Sequence, residues 1–388
     1  MNKSKQRYIP YGRQVIDEDD IQSVIDVLKS DYLTTGPVVE KFEKRVANYV
    51  GSKYAVSFSN GTAALHAACF AAGISSGDEV ITTPMTFVAS ANCVLYQGAK
   101  PIFADIDTKT YNIDPDEIRK KITSKTRAII PVDFTGQPVE LDQIMEIAEK
   151  NNLIVIEDAA HAIGANYKGK RIGSVADMTM FSFHPVKHIT TGEGGMITTN
   201  NKTFFEKLIQ FRTHGITRDQ SLLNVNHGPW YYEMHFLGYN YRMTDIQAAL
   251  GSSQLDKLDM FIDKRKEIVR KYNDGFNELK EIVVPFQGMS SDSSWHLFVI
   301  QIKSDLLSIN RKAFFDKLRE ANIGVNVHYI PVHLQPYYQK LGYKQGDYPN
   351  AEALYKNIIT LPLFPTMTSQ DVQHVIDTVK EIVLEHRK

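Results

Sequence analysis

The stretch Phe181-Ser182-Phe183-His184-Pro185-Val186-Lys187-His188, followed by Thr190-Thr191-Gly192-Glu193-Gly194-Gly195, places a lysine past an apolar, strand-like run and before a glycine-rich turn. A lysine so placed suits covalent work on a carbonyl better than it suits an exposed surface, because amines condense with aldehydes to Schiff bases. That role demands company: a carboxylate, an anion cup and a flat apolar side chain around the ligand.

Outward from Lys187 the chain alternates. Runs at 53–59, 79–83, 101–105, 128–133, 153–157, 178–183 and 195–199 read as buried strands, mostly rich in Ile, Val and Phe and closed by Gly, Pro, Asp or Asn. Helical stretches at 62–72, 89–97, 114–122 and 141–151 lie between them. The alternation predicts a mainly parallel seven-stranded sheet, covered on both faces, with a ligand beyond the carboxyl ends of its strands. Past Thr244-Asp245, which reads as a helix start, a helix-like run continues toward Leu279. Strands at 282–285, 296–302 and 324–328 and helices at 311–321 and 369–385 then predict a smaller C-terminal α/β domain. The expected divisions are an N-terminal arm and helix (1–30), a large domain (31–245) and a small domain (246–388). In the amphipathic helix at 17–30, Ile21, Val24, Ile25 and Leu28 share a face suited to the second domain or a partner subunit. The loops around 217–230 and 287–294 are expected to be mobile surface.

The partners demanded by Lys187 can be found. Leu153-Ile154-Val155-Ile156-Glu157-Asp158-Ala159-Ala160-His161 is a strand ending in two acids, one of which can face a ligand. Asp158 is the choice for a pyridine nitrogen; the alternative is that both acids cap the next helix. Ser59-Asn60-Gly61-Thr62 lies where a strand becomes a helix, and free N–H groups there attract a phosphate. Gly61 permits close approach, and Thr62 and Ser182 add hydroxyls. Phe87, after the strand at 79–83, can stack on a ring or simply fill the core. His161 can reach a ring oxygen. Together these residues point to pyridoxal 5'-phosphate (PLP), held on Lys187. No His, Cys or acidic set has metal-ligand spacing, so no catalytic metal is expected.

The bulk figures narrow the field further. With 388 residues and 43% hydrophobic content the chain can bury a large core. Lys+Arg of 44 against Asp+Glu of 45, with no polybasic run, argues against nucleic acid as a partner. No apolar run approaches membrane-spanning length, and residues 1–7 form no apolar signal core, so a cytoplasmic protein without membrane contacts is expected. Cys69 and Cys93, in apolar surroundings, are expected to be buried free thiols. The absence of a G-x-G-x-x-G turn argues against a nicotinamide dehydrogenase.

Asp158-Ala159-Ala160-His161, Phe181-Ser182-Phe183-His184 with Lys187, Gly192-Glu193-Gly194-Gly195 and Gly238-Tyr239-Asn240-Tyr241-Arg242 occur in an order and spacing that resemble the DegT/DnrJ/StrS nucleotide-sugar aminotransferases. The resemblance covers nearly the whole chain. Phe211-Arg212-Thr213-His214-Gly215 and Val327-His328-Tyr329 bring it nearest to the pseudaminic acid branch. It implies PLP fold type I, like aspartate aminotransferase. It implies that Lys187 is catalytic, Asp158 meets the pyridine nitrogen, Phe87 stacks, and Gly61, Thr62 and Ser182 hold the phosphate. Asn240 is implied to reach that phosphate from the other subunit of a homodimer. Tyr8, Asp31, Tyr32, Leu33, Thr34, Asn326, His328 and Tyr329 are implied to contact the nucleotide sugar. L-Glutamate is the implied donor, and a UDP-linked 4-keto-6-deoxy-N-acetylhexosamine the implied acceptor. A dTDP-keto or 3-keto sugar is the nearest alternative, and a PLP-binding regulatory protein without turnover is another. A dehydrating branch of the family carries histidine in place of the lysine, so Lys187 favours transamination.

Overall fold

The computed structural model describes residues 7–388, so the start of the expected arm, 1–6, lies outside the described residues. Helix α1 (Glu18–Leu28) begins with a capping box between Asp17 and Asp20. It buries Val27 and leaves Ile21 and Leu28 exposed. Helix α2 (Pro37–Val50) follows. Then strands and helices alternate: β1 (Tyr54–Phe58), α3 (Gly61–Ala71), β2 (Glu79–Thr82), α4 (Ala89–Tyr96), β3 (Lys100–Phe103), α5 (Pro115–Lys121), β4 (Thr126–Ile130), α6 (Leu141–Asn151) and β5 (Ile154–Asp158). After the short strands β6 (Asn166–Tyr167) and β7 (Lys170–Arg171) come β8 (Met178–Ser182), β9 (Gly195–Thr199) and α7 (Lys202–Phe211). The seven-stranded sheet has the order β1-β9-β8-β5-β4-β2-β3. Only β9 runs against the others. All seven strands read from the sequence are present, and the carboxyl ends of β1, β2, β4, β5 and β8 therefore open on one edge.

Apolar character explains the layers. Helix α3 is apolar nearly all round and buries Ala63, Ala64, Leu65, Ala67 and Ala68. Its small side chains let it lie close against the sheet. On the opposite face Phe42, Ile144, Phe181 and Phe183 lie in one core with Val155 and Ile129. Cys69 and Cys93 are buried and free.

The segment after α7 contains a small ribbon of β10 (Ile216–Thr217) and β11 (Glu233–Met234). Glu233 organises this loop, accepting from the N–H groups of Asn224 and Val225 and from the Tyr231 hydroxyl. Trp230, Met234 and Leu237 remain more than 60% exposed.

The helix-like run after Thr244 resolves into two helices, α8 (Asp245–Leu255) and α9 (Leu258–Phe276). Lys257, at the break, pairs with Asp17 and Asp20. Asp245 accepts from the N–H groups of Gly36 and Val38, which fixes the chain at 31–36 against α8. Helix α9 crosses from the large core, through Phe261 and Ile262, into a second core at Ile268, Val269 and Tyr272. That second core is covered by β12 (Ile282–Val283), β14 (Phe298–Ile302) and the elements that follow. Strand β13 (Ser291–Asp292) pairs instead with β6. Helices α10 (Arg311–Glu320), α11 (Pro336–Lys340) and α12 (Pro349–Asn357) precede β15 (Ile358–Leu361), and α13 (Ser369–His386) ends the fold.

The small sheet has the order β12-β14-β15. The stretch 324–328, expected as its third strand, makes one bridge, Asn326 to Thr360, and then leaves the sheet for the cavity described below. Its place is taken by β15, which follows α12 directly and is bounded by Asn357 and Pro362, a signal the sequence reading passed over.

Candidate active site

A cavity of about 1100 Å³ opens at the carboxyl edge of the large sheet. One wall comes from segments at the carboxyl edge of the seven-stranded sheet: Gly61, Thr62, Phe87, Asp158, His161, Ser182 and Lys187. The facing wall is mainly one loop carrying Asn326, His328, Tyr329 and Ile330, with Tyr11 and His296 beside it.

Each wall residue is placed by its element. Asp158 is the last residue of β5, and of the two acids there it is the one that lines the cavity. Glu157 is fully buried and accepts from Thr179 Oγ1 (2.9 Å) on neighbouring β8. Asp158 Oδ2 accepts from Ser90 Oγ (2.6 Å) and Oδ1 from the Ala160 N–H (3.1 Å). Burial raises the pKa of Asp158, while these two bonds and Lys187 oppose the rise.

Lys187 closes a turn after β8, its N–H donating to His184 O (2.9 Å). Thr190 Oγ1 and the Thr191 N–H both bond Phe183 O and hold that turn against the strand. The Lys187 side chain is half-buried at the cavity floor, and its Nζ lies 3.5 Å from His296 Nε2. Burial lowers its pKa from 10.5 to about 8, against the pull of Asp158.

The anion cup is the start of α3. Asn60 caps the helix by accepting from the Ala63 N–H (2.8 Å), and Gly61 and Thr62 face the cavity. A Cβ on Gly61 would stand 3.5 Å from Ser182 Oγ and 3.4 Å from Met180 Sδ, filling the space between the helix start and β8. Behind the cup, Arg212 donates to Glu43 and to Ser57 O and ties α2 and α7 to β1. Phe87 is 57% exposed, with its ring open to the cavity.

Histidines line the rear. His161 Nε2 meets the Tyr329 hydroxyl at 3.0 Å, while its buried Nδ1 has no partner. His328 Nδ1 meets Thr360 Oγ1 at 2.9 Å. Burial, then Lys187, lowers the pKa of both, that of His328 to about 3, so both rings are neutral.

Those residues fit PLP. An acid at the end of β5 suits the pyridine nitrogen, a helix start with two facing hydroxyls suits the phosphate, and an exposed ring suits the cofactor face. A half-buried lysine within the same space suits the aldehyde, and the orphaned Nδ1 of His161 leaves a polar atom for a ligand to satisfy.

Ten of the residues read from the sequence thus share one cavity. Six do not line it within a single chain: Tyr8, Asp31, Tyr32, Leu33, Thr34 and Asn240, all exposed. Tyr8 packs over Gly324, and Asn240, near the exposed Trp230, Met234 and Leu237 in the sequence, bridges Thr213. Two neighbours of the chemistry were not read from the sequence. Ser90 had a legible signal, one helical turn after Thr86, whose hydroxyl it meets at 2.8 Å. His296 had none, because its contacts with Thr135 and Lys187 join stretches more than a hundred residues apart.

The chain matches the DegT/DnrJ/EryC1/StrS aminotransferase family over residues 14–380. It is 42% identical to the spore coat polysaccharide biosynthesis protein SpsC of Bacillus subtilis, over 99% of both chains. Among solved structures it is similar to Spr1654 of Streptococcus pneumoniae, described as a sugar aminotransferase and solved in PMP and PLP forms. The PMP form superposes with a TM-score of 0.92 at 34% identity, covering 97% of this chain and 99% of that one. PseC of Helicobacter pylori, an aminotransferase of pseudaminic acid biosynthesis, gives 0.91 at 31% identity, covering 98% and 100%.

Proposed function

The chain belongs to the DegT/DnrJ/EryC1/StrS aminotransferase family of PLP enzymes, and we propose that it moves the amino group of L-glutamate to the C4 ketone of a UDP-linked 4-keto-6-deoxy-N-acetylhexosamine. The product is a UDP-4-amino sugar of the pseudaminic acid kind, for surface glycans. The observation that carries the reading is a half-buried lysine and a buried, hydrogen-bonded carboxylate lining one cavity, with a helix start opposite.

Bound PLP supplies an aldehyde that takes up amino groups and a ring that withdraws electrons from the neighbouring carbon. Asp158 holds the charge that keeps the ring nitrogen protonated, aided by Ser90 and the Ala160 N–H. Gly61, Thr62 and Ser182 hold the phosphate, and Phe87 covers the ring. Lys187 would take the proton from the α-carbon of glutamate in the first half of the cycle and deliver one to C4 of the sugar in the second. One amine serves both halves because it is tethered within reach of both carbons. Asn326, His328 and Tyr329 orient the sugar, and the nucleotide, remote from the chemistry, contributes binding energy.

The active site is shared between two subunits in this reading. Asn240 reaches the phosphate of the partner, and Tyr8 with residues 31–34 approaches the partner's substrate. The exposed apolar side chains of Trp230, Met234 and Leu237, near Asn240 in the sequence, support it, since apolar surface marks contacts.

A second acceptor, another keto sugar of a surface polysaccharide, is favoured by the higher identity to SpsC. Purified protein incubated with L-glutamate and either UDP- or dTDP-linked 4-keto sugar separates the two. The main reading expects 2-oxoglutarate and a mass corresponding to a 4-amino sugar with the UDP substrate only.

A further inference from the structure

Among the described residues, the one side-chain polar atom within hydrogen-bond distance of Lys187 Nζ is His296 Nε2, at 3.5 Å. His296 belongs to the small domain, just before β14, and it is 4% exposed. Its backbone is fixed on both sides: its N–H donates to Thr135 O (2.8 Å), and its carbonyl accepts from Arg265 Nη1 (3.2 Å). Nearby, Ser294 Oγ donates to His161 O (3.0 Å), and Ser294 O accepts from His188 Nε2 (2.9 Å). These pieces of chain converge on Gly136, at φ +98°, where a Cβ would lie 2.8 Å from His161 O and 3.0 Å from the His296 nitrogen. The ring of His296 sits between those of His161 (4.4 Å) and His188 (5.5 Å).

The surroundings assign the proton. His296 Nδ1 is buried without a partner among the described residues. A buried orphan N–H is rarer in folded proteins than a buried bare acceptor. The hydrogen of the neutral ring therefore sits on Nε2, facing Lys187. His188 is arranged alike, donating from Nε2 with Nδ1 bare. A donor aimed at Nζ finds an acceptor only when the amine is neutral, because an ammonium has three donors and no lone pair.

The remaining charged and titratable groups around the amine divide clearly. Asp158 on β5 favours the ammonium. His161, His188 and His328 are neutral, and Arg265 adds a fixed positive charge behind the histidines. The Tyr329 hydroxyl is neutral, its pKa raised by burial.

We propose that His296 is a positioning residue, donating its Nε2 hydrogen to the unprotonated amine of Lys187 and so fixing where that nitrogen rests and favouring its neutral form. The inference rests on the role given to Lys187 above. It makes a small-domain side chain part of the preparation of a large-domain base.

The test uses apoprotein and reads recombination with PLP by absorbance, as a rate against pH, which follows the fraction of neutral amine. In His296→Gln the side-chain amide reaches about as far as Nε2 and keeps a donor there. In His296→Asn it stops short, and His296→Leu has no donor. The half-maximal pH is expected to stay in place in H296Q and to rise by about one unit in H296N and H296L. Unmoved profiles in all three variants, or equal shifts in all three, would overturn the inference. If H296L fails to fold, H296Q against H296N decides it. Lys187→Ala is the control: it loses the pH-dependent phase, and retention of that phase would instead overturn the role of Lys187 and this inference with it.

Discussion

Ser90 Oγ, in the first turn of α4, lies 2.6 Å from Oδ2 of Asp158, the last residue of β5. The bond favours the carboxylate against a burial that opposes it. Ser90→Ala should therefore let Asp158 hold its proton to higher pH and weaken its pairing with the cofactor ring. The expected result is a loss of roughly tenfold in PLP affinity, from one charge-assisted bond, measured by titrating apoprotein. Ser90→Thr, which keeps the hydroxyl, should lose less.

Lys187→Ala should abolish glutamate-dependent amination of any keto sugar while leaving the fold intact, since the residue sits in a turn and fills no core. Activity assay alongside circular dichroism checks both halves. Full amination by the variant would sink the enzyme reading.

The same lysine should leave a mark on apoprotein stability. Its pKa falls from 10.5 to about 8 on folding, so between those values the unfolded chain binds more protons than the folded one. Stability contributed by this group therefore rises as pH goes from 8 toward 10.5 and is flat below 8. Lys187→Met removes that rise, and comparing denaturation midpoints of the two apoproteins across the window measures it.

Glu157 should behave in the opposite sense. Burial raises its pKa from 4.5 to about 7, beside the buried Asp133, whose pKa is also raised by burial and by Glu157. The folded state keeps a proton that the unfolded state has lost, so this group costs stability as pH rises from about 4.5 to 7. Glu157→Gln, still able to accept from Thr179, should flatten that loss. Equal melting temperatures at acid pH and a higher one for the variant at neutral pH are expected.

The shared site can be tested by subunit exchange. Lys187→Ala and Asn240→Asp should each be inactive alone. Random exchange between them should restore about one quarter of wild-type activity, because each mixed dimer regains one intact site. No recovery under proven exchange would place Asn240 outside the partner's site.

Much of this was legible in the sequence. Punctuated apolar runs marked all seven strands of the large sheet, and adjacency to strand ends marked Gly61, Thr62, Phe87, Asp158, Ser182 and Lys187. Such residues can be read because a parallel sheet sends the ends of its strands to one edge whatever the details of packing. The stretch at 324–328 misled, since its apolar alternation belongs to a loop that touches the sheet once. Strand β15 was legible but passed over: Asn357 and Pro362 bound its Ile-rich run, although α12 runs directly into it. His296 stayed invisible for another reason: it meets Lys187 because its N–H bonds Thr135 O and its carbonyl accepts from Arg265, contacts between stretches far apart in the sequence.

The two walls of the cavity have separate origins in the chain. The residues facing the cofactor end strands of a rigid sheet, whereas Asn326, His328 and Ile330 ride on one loop. On the proposed roles, substitutions within that one loop alter the sugar contacts a chain makes in its own cavity while its amine chemistry stays untouched. Tyr329 is where that freedom stops, since its hydroxyl is tied to His161 on the opposite wall.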